Sequence, residues 1–202
     1  MLKYETEAGN KGYRCVMGVD EAGRGPLAGP VVAAAVFLPP GVTLDGLDDS
    51  KKLSQKLREK FYSQIIETAV TYGLGIVSVE VIERINILQA SLTAMKQAVE
   101  NCDLPPDLLL IDGNQNVDHS ADQWTLVGGD GKSLSIAAAS VLAKVTRDRI
   151  MQDYHQDYPQ YQFDRHKGYP TKRHREAIKQ FGPCPLHRKT FRGVKEFLNM
   201  KD

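Results

Sequence analysis

Gly18-Val19-Asp20-Glu21-Ala22-Gly23-Arg24-Gly25-Pro26 carries an apolar run into a pair of acids and then into a glycine-rich turn. Arg14 to Asp20 reads as a strand, and Val31 to Leu38 as a second one closed by Pro39-Pro40-Gly41. Two further acids stand in the same kind of setting, in Leu110-Ile111-Asp112-Gly113-Asn114 and in Gly128-Gly129-Asp130-Gly131-Lys132. Each lies where a buried strand meets a turn. A carboxylate at the edge of a core is costly unless its charge is compensated. Several together raise each other's pKa unless a cation binds between them. Asp20, Glu21, Asp112 and Asp130 are therefore the expected ligands of divalent metal. Neighbouring strand residues face opposite ways, so this expectation requires the first strand to end at the Asp20-Glu21 pair.

Working outward, Ser54 reads as an N-cap for a helix over 55–72, with Leu57, Phe61, Ile65 and Ala69 on one face. A strand is expected over 74–79, a helix over 87–101, and strands over 108–111 and 124–127. A long helix from Ser133 to about His155 begins with alanines that allow close approach to a sheet, and a short one covers 171–181. Strands and helices in this order give an α/β fold, a mixed sheet covered by helices. The segment after Tyr158, rich in Pro, Gly and His, is expected to wrap the core. The chain thus reads as a single domain over 1–202, with a core over about 12–158 and a basic C-terminal segment over about 159–202 packed on it.

Composition narrows the function classes. The chain has 202 residues, 42% of them hydrophobic and 25% charged, ordinary for a globular protein. Its longest apolar stretch, Val31 to Leu38, is far too short for a bilayer. The polar start, Met1 to Gly12, has no signal-peptide core. Three widely spaced cysteines fit a reducing compartment and offer no zinc pattern. A cytoplasmic protein without a membrane partner is expected. The formal net charge of +1 conceals an asymmetry. Residues 1–143 hold 12 Lys/Arg against 18 Asp/Glu, and residues 144–202 hold 14 against 7. An acidic part joined to a basic part suits a metal site beside a polyanion-binding face, although charge alone slightly favours basic helices that are merely solvated.

The acids favour hard cations. Carboxylates without cysteine or histidine partners suit Mg²⁺ or Mn²⁺, and a carboxylate set around two ions is the arrangement of two-metal phosphodiester chemistry. Gly23-Arg24-Gly25 leaves room for a ligand to approach the backbone, and is equally the composition of a tight turn. Ser140, Lys144 and Arg147 fall on one face of the long helix, where they could follow a phosphate backbone or merely face solvent. Lys51 and Lys52 form a second basic cluster. Tyr169, held extended by Pro170, could offer its ring to a sugar or base, or pack into the core.

Taken together, these stretches closely resemble the ribonuclease HII family, the prokaryotic type 2 ribonucleases H. The matching text includes Gly18 to Leu27, Asp49-Ser50-Lys51-Lys52-Leu53-Ser54, Ile111-Asp112-Gly113-Asn114, Ala138 to Asp148, and His166-Lys167-Gly168-Tyr169-Pro170-Thr171. The resemblance runs from about Arg14 to about Phe191. It implies a ribonuclease H-like fold, with a central mixed sheet of about five strands, and a monomer. It implies that Asp20, Glu21, Asp112 and Asp130 hold two Mg²⁺ or Mn²⁺ ions. It places backbone contacts to a ribose 2′-OH at Gly23, Arg24 and Gly25, phosphate contacts at Ser140, Lys144, Arg147, Lys51 and Lys52, and the junction-sensing tyrosine at Tyr169. Where many relatives have Lys-Gly-Asp, this chain has Gly128-Gly129-Asp130.

The implied activity is cleavage of RNA in RNA–DNA hybrids and on the 5′ side of ribonucleotides embedded in duplex DNA, leaving 3′-hydroxyl and 5′-phosphate ends. Two alternatives stand beside it: a ribonuclease HIII-like hybrid nuclease, and a catalytically silent nucleic-acid-binding protein on the same fold. No peptide motif for a replication-clamp partner is evident.

Overall fold

The computed structural model describes residues 1–47, 50 and 53–198. Its centre is a five-stranded mixed sheet in the order β3-β2-β1-β4-β5. The strands are β1 (Val16–Ala22), β2 (Val31–Phe37), β3 (Thr71–Val77), β4 (Leu108–Asp112) and β5 (Asp122–Leu126). β1, β2 and β3 run antiparallel in succession, while β4 and β5 are parallel to β1. The sheet changes character at β1, which has an antiparallel neighbour on one side and a parallel one on the other.

Strand alternation divides the core into two layers. Met17, Val19, Ala33, Ala35, Leu109 and Ile111 face α3 (Val79–Glu100), meeting Ile82, Ala90, Ala94, Met95 and Ala98. Ala34 and Val36 on the other face meet α2 (Gln55–Thr68) and α4 (Leu134–Asp157), through Phe61, Ile65, Ala137, Ala138, Val141 and Leu142. The alanine-rich start of α4 lies directly against β1. A Cβ at Gly18 would fall 2.1 Å from the Ser135 carbonyl carbon, so a side chain there would push helix from sheet. Large-to-small complementarity of this kind fixes the spacing of layers in a close-packed interior.

Helix boundaries follow local capping. Ser54 and Ser133 each accept a backbone N–H from the first turn of α2 and α4. α3 is broken at Asn86, whose φ is 68° and whose side chain accepts from the Leu88 and Gln89 amides. The expected helix over 87–101 is the half beyond this break. The half before it begins within the expected strand over 74–79, because Val79-Glu80-Val81-Ile82 is locally strand-like.

The short helix α1 (Lys3–Asn10) has no signal in its polar composition. It is tied in by Glu5, whose carboxylate accepts the Ser133 hydroxyl at 2.7 Å and the Ser135 amide at 2.9 Å, capping α4 from across the chain.

Beyond α4, helices α5 (Phe163–His166) and α6 (Lys172–Phe181) and the following irregular segment pack on α4 and on the turn between β1 and β2. Ala28 pairs with His187 in an isolated antiparallel bridge. The amide of Gly29 donates to Leu186 and that of Arg188 to Leu27, both at 2.8 Å.

Candidate active site

β1 and β4 stop pairing at Val19–Ile111, while β1 continues beside β2 as far as Ala22–Val32. The β4-side edge of β1 is therefore open from Asp20 onward. Open α/β sheets bind ligands in such a crevice, outside the carboxyl ends of parallel strands where the topology switches. A cleft of ≈ 260 Å³ lies here.

Asp20 ends the pairing of β1 with β4, and Asp112 is the last residue of β4. Asp130 sits in a 3₁₀ turn over Gly129–Gly131, just before α4. Asp112 accepts the Gly129 amide at 2.6 Å, which ties that turn to the strand end. Each of the three acids offers a carboxylate oxygen, and these oxygens all lie within 4.8 Å of one another. Asp20 and Asp130 are buried.

The expectation that the strand ends at Asp20-Glu21 is corrected: β1 runs through Glu21 to Ala22. What ends there is the pairing with β4, so the cleft is bordered by both faces of the strand tip. Strand alternation still separates the pair. Asp20 joins Asp112 and Asp130, whereas Glu21 lines the same cleft, largely buried, and meets Arg24 at 3.3 Å.

The electrostatics follow. Burial pushes the Asp20 carboxyl well above the usual carboxylate range, and the charges of Glu21 and Asp112 push it further. A hydrogen bond from Ser140 and the Glu21 amide act against them. Burial also raises Glu21, opposed by Arg24 and assisted by Asp112. A metal ion would relieve this strain by stabilising the charged forms. The donors are all hard oxygens, which suits Mg²⁺ or Mn²⁺ over softer ions.

Gly23, Arg24, Gly25, Ser140, Lys144 and Tyr169 line the cleft beside the acids. Ser140 is buried, with its hydroxyl 2.8 Å from that of Ser50. Lys144 pairs with Asp148 at 2.6 Å. Burial lowers its ammonium pKa and Asp148 opposes the shift. Tyr169 is 40% exposed, with Lys144 Nζ 5.8 Å and the Arg147 guanidinium 5.9 Å from its ring centre. Lys51 and Lys52 lie outside the described residues.

Arg147 departs from the expected phosphate-facing row. It is 1% exposed, and its guanidinium donates to the carbonyls of Pro30, Lys167 and Ala28, each at 3.0 Å. Helical spacing puts it near Ser140 and Lys144, but the C-terminal segment covers it.

A second buried arginine has almost no signature in the sequence. Arg188 donates to the carbonyls of Gly23, Arg24, Pro26, Gly29 and Pro30, at 2.6 to 3.3 Å. Burial, reinforced by the nearby Arg147 charge, pushes its pKa down to about 9. The only local signal is a cation in an otherwise apolar and turn-forming run, Pro185-Leu186-His187-Arg188. The partners lie some hundred and sixty residues earlier, roughly the span that sequence patterns cannot bridge.

Comparison with known proteins agrees with this geometry. The family model described as Ribonuclease HII matches residues 17–194. A Ribonuclease HII of Syntrophotalea carbinolica is 55% identical over 197 residues, covering 98% of this chain and 94% of that protein. One of Geobacter sulfurreducens is 55% identical over 195 residues, covering 96% and 90%. Among solved structures, the ribonuclease H2 of Pyrococcus horikoshii superposes with a TM-score of 0.76 at 27% identity, covering 91% of this chain and 97% of that one. The mixed sheet with its flanking helices is the ribonuclease H-like fold. The chain belongs to the ribonuclease HII family and is a ribonuclease H-type endonuclease.

Proposed function

We propose that the chain cleaves RNA in RNA–DNA hybrids, and cuts on the 5′ side of ribonucleotides embedded in duplex DNA, leaving 3′-hydroxyl and 5′-phosphate ends. The observation that carries this reading is the convergence of Asp20, Asp112 and Asp130 at the open edge between β1 and β4. These three, with Glu21 beside them in the cleft, would hold two Mg²⁺ or Mn²⁺ ions. When bound, such ions supply activation of water and stabilisation of charge at the reacting phosphate.

The chain's own groups supply recognition. Arg188 takes the carbonyls of Gly23 and Arg24. A trans peptide is planar, so its N–H points opposite to its carbonyl. With those carbonyls held, the amides of Arg24 and Gly25 are directed away from Arg188, an arrangement suited to a ribose hydroxyl. The 2′-OH is what distinguishes RNA from DNA at a site. Ser140 and Lys144 beside the cleft are suited to phosphate contact, and Tyr169 to stacking at the step from ribose to deoxyribose.

In this reading residues 1–202 act as one domain, as a monomer and in the cytoplasm. No described helix is long and apolar enough to cross a membrane.

The test uses three duplexes with Mg²⁺ or Mn²⁺: all DNA, DNA with one ribonucleotide, and an RNA–DNA hybrid. Cutting of the second and third, with 3′-hydroxyl products and the all-DNA duplex intact, is the expected result. Equal cutting of all three would contradict the reading.

A further inference from the structure

Behind Tyr169 lies a cluster of three histidines that the cleft does not use. His174 and His187 are both 0% exposed. Their rings are surrounded by aromatic groups: His166 stacks on His174 at 4.3 Å, and Phe163 and Tyr161 pack edge-on. A continuous row of hydrogen bonds runs through the pair. His174 Nδ1 is 2.9 Å from the Tyr169 carbonyl oxygen, and His174 Nε2 is 3.0 Å from His187 Nε2. His187 Nδ1 is 3.0 Å from the Cys184 amide and 3.1 Å from its Sγ.

Hydrogen-bond chemistry gives this row one direction. A carbonyl only accepts, so His174 Nδ1 carries a hydrogen. A neutral imidazole has one N–H, so His174 Nε2 is a lone pair and His187 Nε2–H must donate to it. His187 Nδ1 is then a lone pair, which is what the Cys184 amide requires. Reversing either ring would set two N–H groups, or two lone pairs, against each other.

The row ends on a peptide that is fixed from every side. The Lys167 carbonyl accepts from Arg147 at 3.0 Å, and that of Gly168 from the Leu27 amide at 2.8 Å. Gly168 has φ +83°, and a Cβ there would fall 2.5 Å from the Ala28 carbonyl oxygen. The Tyr169 carbonyl accepts from the Thr171 amide at 2.8 Å as well as from His174.

We propose that His174 and His187 are positioning residues for substrate choice: their directional hydrogen bonds, anchored at Cys184, fix the Tyr169 peptide and so the ring that meets the ribose–deoxyribose step. The inference rests on the reading of Tyr169 given above. Misplacement of a contact group by about 1 Å can cost up to about 10²-fold in rate, and the penalty should fall on the substrate that relies on the step. A uniform hybrid has no such step, so the discrimination between substrates reads the position of the ring.

Two isosteric variants separate positioning from stability. In His174→Asn the amide nitrogen can replace Nδ1–H toward Tyr169, while His187 loses its acceptor. In His174→Gln the amide can replace Nε2 toward His187, while the Tyr169 carbonyl loses its side-chain donor and keeps only the Thr171 amide. Each breaks one buried hydrogen bond, and His174→Asn, which strands the His187 N–H, should lower the melting temperature at least as much as His174→Gln.

The readout is the ratio of kcat/KM on a duplex with one ribonucleotide to kcat/KM on a hybrid. His174→Gln should lower it roughly tenfold and His174→Asn by less than about threefold. Tyr169→Ala should lower it too, and adding His174→Gln to Tyr169→Ala should lower it no further, since the two act as a unit. In the unaltered protein, ¹⁵N NMR should find His174 as the Nδ1–H tautomer and His187 as the Nε2–H tautomer.

A His174→Gln protein with the parent ratio, while Tyr169→Ala is impaired, would overturn the inference alone. A parent ratio in Tyr169→Ala would overturn the reading of Tyr169 and the inference with it. Opposite tautomers would overturn the inference even if neither His174 variant folds.

Discussion

At the tips of β1 and β4 three carboxylates lie within 4.8 Å of one another, and Asp20 is driven toward its neutral form. Behind the neighbouring turn, Arg147 and Arg188 are at least as deeply buried, yet every guanidinium nitrogen of both donates to a backbone carbonyl. Both regions place charge in the core, and the difference lies in what surrounds it. Buried charge whose every nitrogen is hydrogen-bonded is scaffold, whereas like charges gathered at an open strand edge are strained until a cation joins them. The arginines hold the 23–30 turn that follows the acidic strand tip.

The sharpest way to break this contrast is at Arg188. Arg188→Met keeps a long apolar stem and leaves the carbonyls of Gly23, Arg24, Pro26 and Gly29 without their donor. Leaving a buried acceptor without its donor costs about 1–3 kcal/mol, and with several carbonyls stranded together urea unfolding should shift by about 3 kcal/mol or more. A loss below about 1 kcal/mol would mean that the turn keeps its shape unaided.

The histidine pair offers a milder challenge, through pH. Burial, assisted by the His166 charge at His174 and by the His174 charge at His187, pushes His174 down to about 4 and His187 to about 3. The folded pKa values lie below the unfolded value near 6.5, so the unfolded chain takes up protons first. Stability is intact above about 6.5 and falls as pH drops from there toward about 4. At pH 5 the loss should reach about 2 kcal/mol per histidine. His187→Gln, which can still donate to His174, should show a shallower acid limb between pH 7 and pH 5. The same limb as the parent would place the acid sensitivity elsewhere.

Lys144 gives the smallest effect. It is partly exposed and already paired with Asp148. If it contacts one phosphate, Lys144→Ala should reduce the salt dependence of duplex binding by about one unit of log–log slope. An unchanged slope would leave Lys144 as a partner for Asp148 and nothing more.

These regions also differ in how far they can be read from sequence. The acids are legible because strand ends and glycine turns are local patterns, so residue order alone singles out Asp20, Asp112 and Asp130. The division between Asp20 and Glu21 is half legible: alternation forbids a shared face, but the solution is early loss of the β4 partner, which depends on pairing register. Arg147 is misread because helical spacing gives a face without saying what covers it. The His174–His187 row escapes a sequence reading because, although its partners are near in sequence, two of them are backbone atoms, which carry no residue-type signal. Arg188 and Glu5 escape it since their partners are distant in the chain. The helix over 3–10 escapes it for the same reason: its capping carboxylate serves α4, far along the chain.

Under the proposed function, the acidic cleft is strained because it is kept for divalent metal. Thermal unfolding of the parent and of Asp20→Asn, each in chelator and with Mg²⁺ or Mn²⁺, tests it most directly. The folded pKa of Asp20 lies above its unfolded value, so its ionised form costs stability at neutral pH and the cost lessens as pH falls. In chelator at pH 7 the variant should therefore melt at or above the parent. Metal should raise the parent by mass action and leave the variant nearly unmoved. A variant that melts far below the parent in chelator, or metal that raises both proteins equally, would contradict the account.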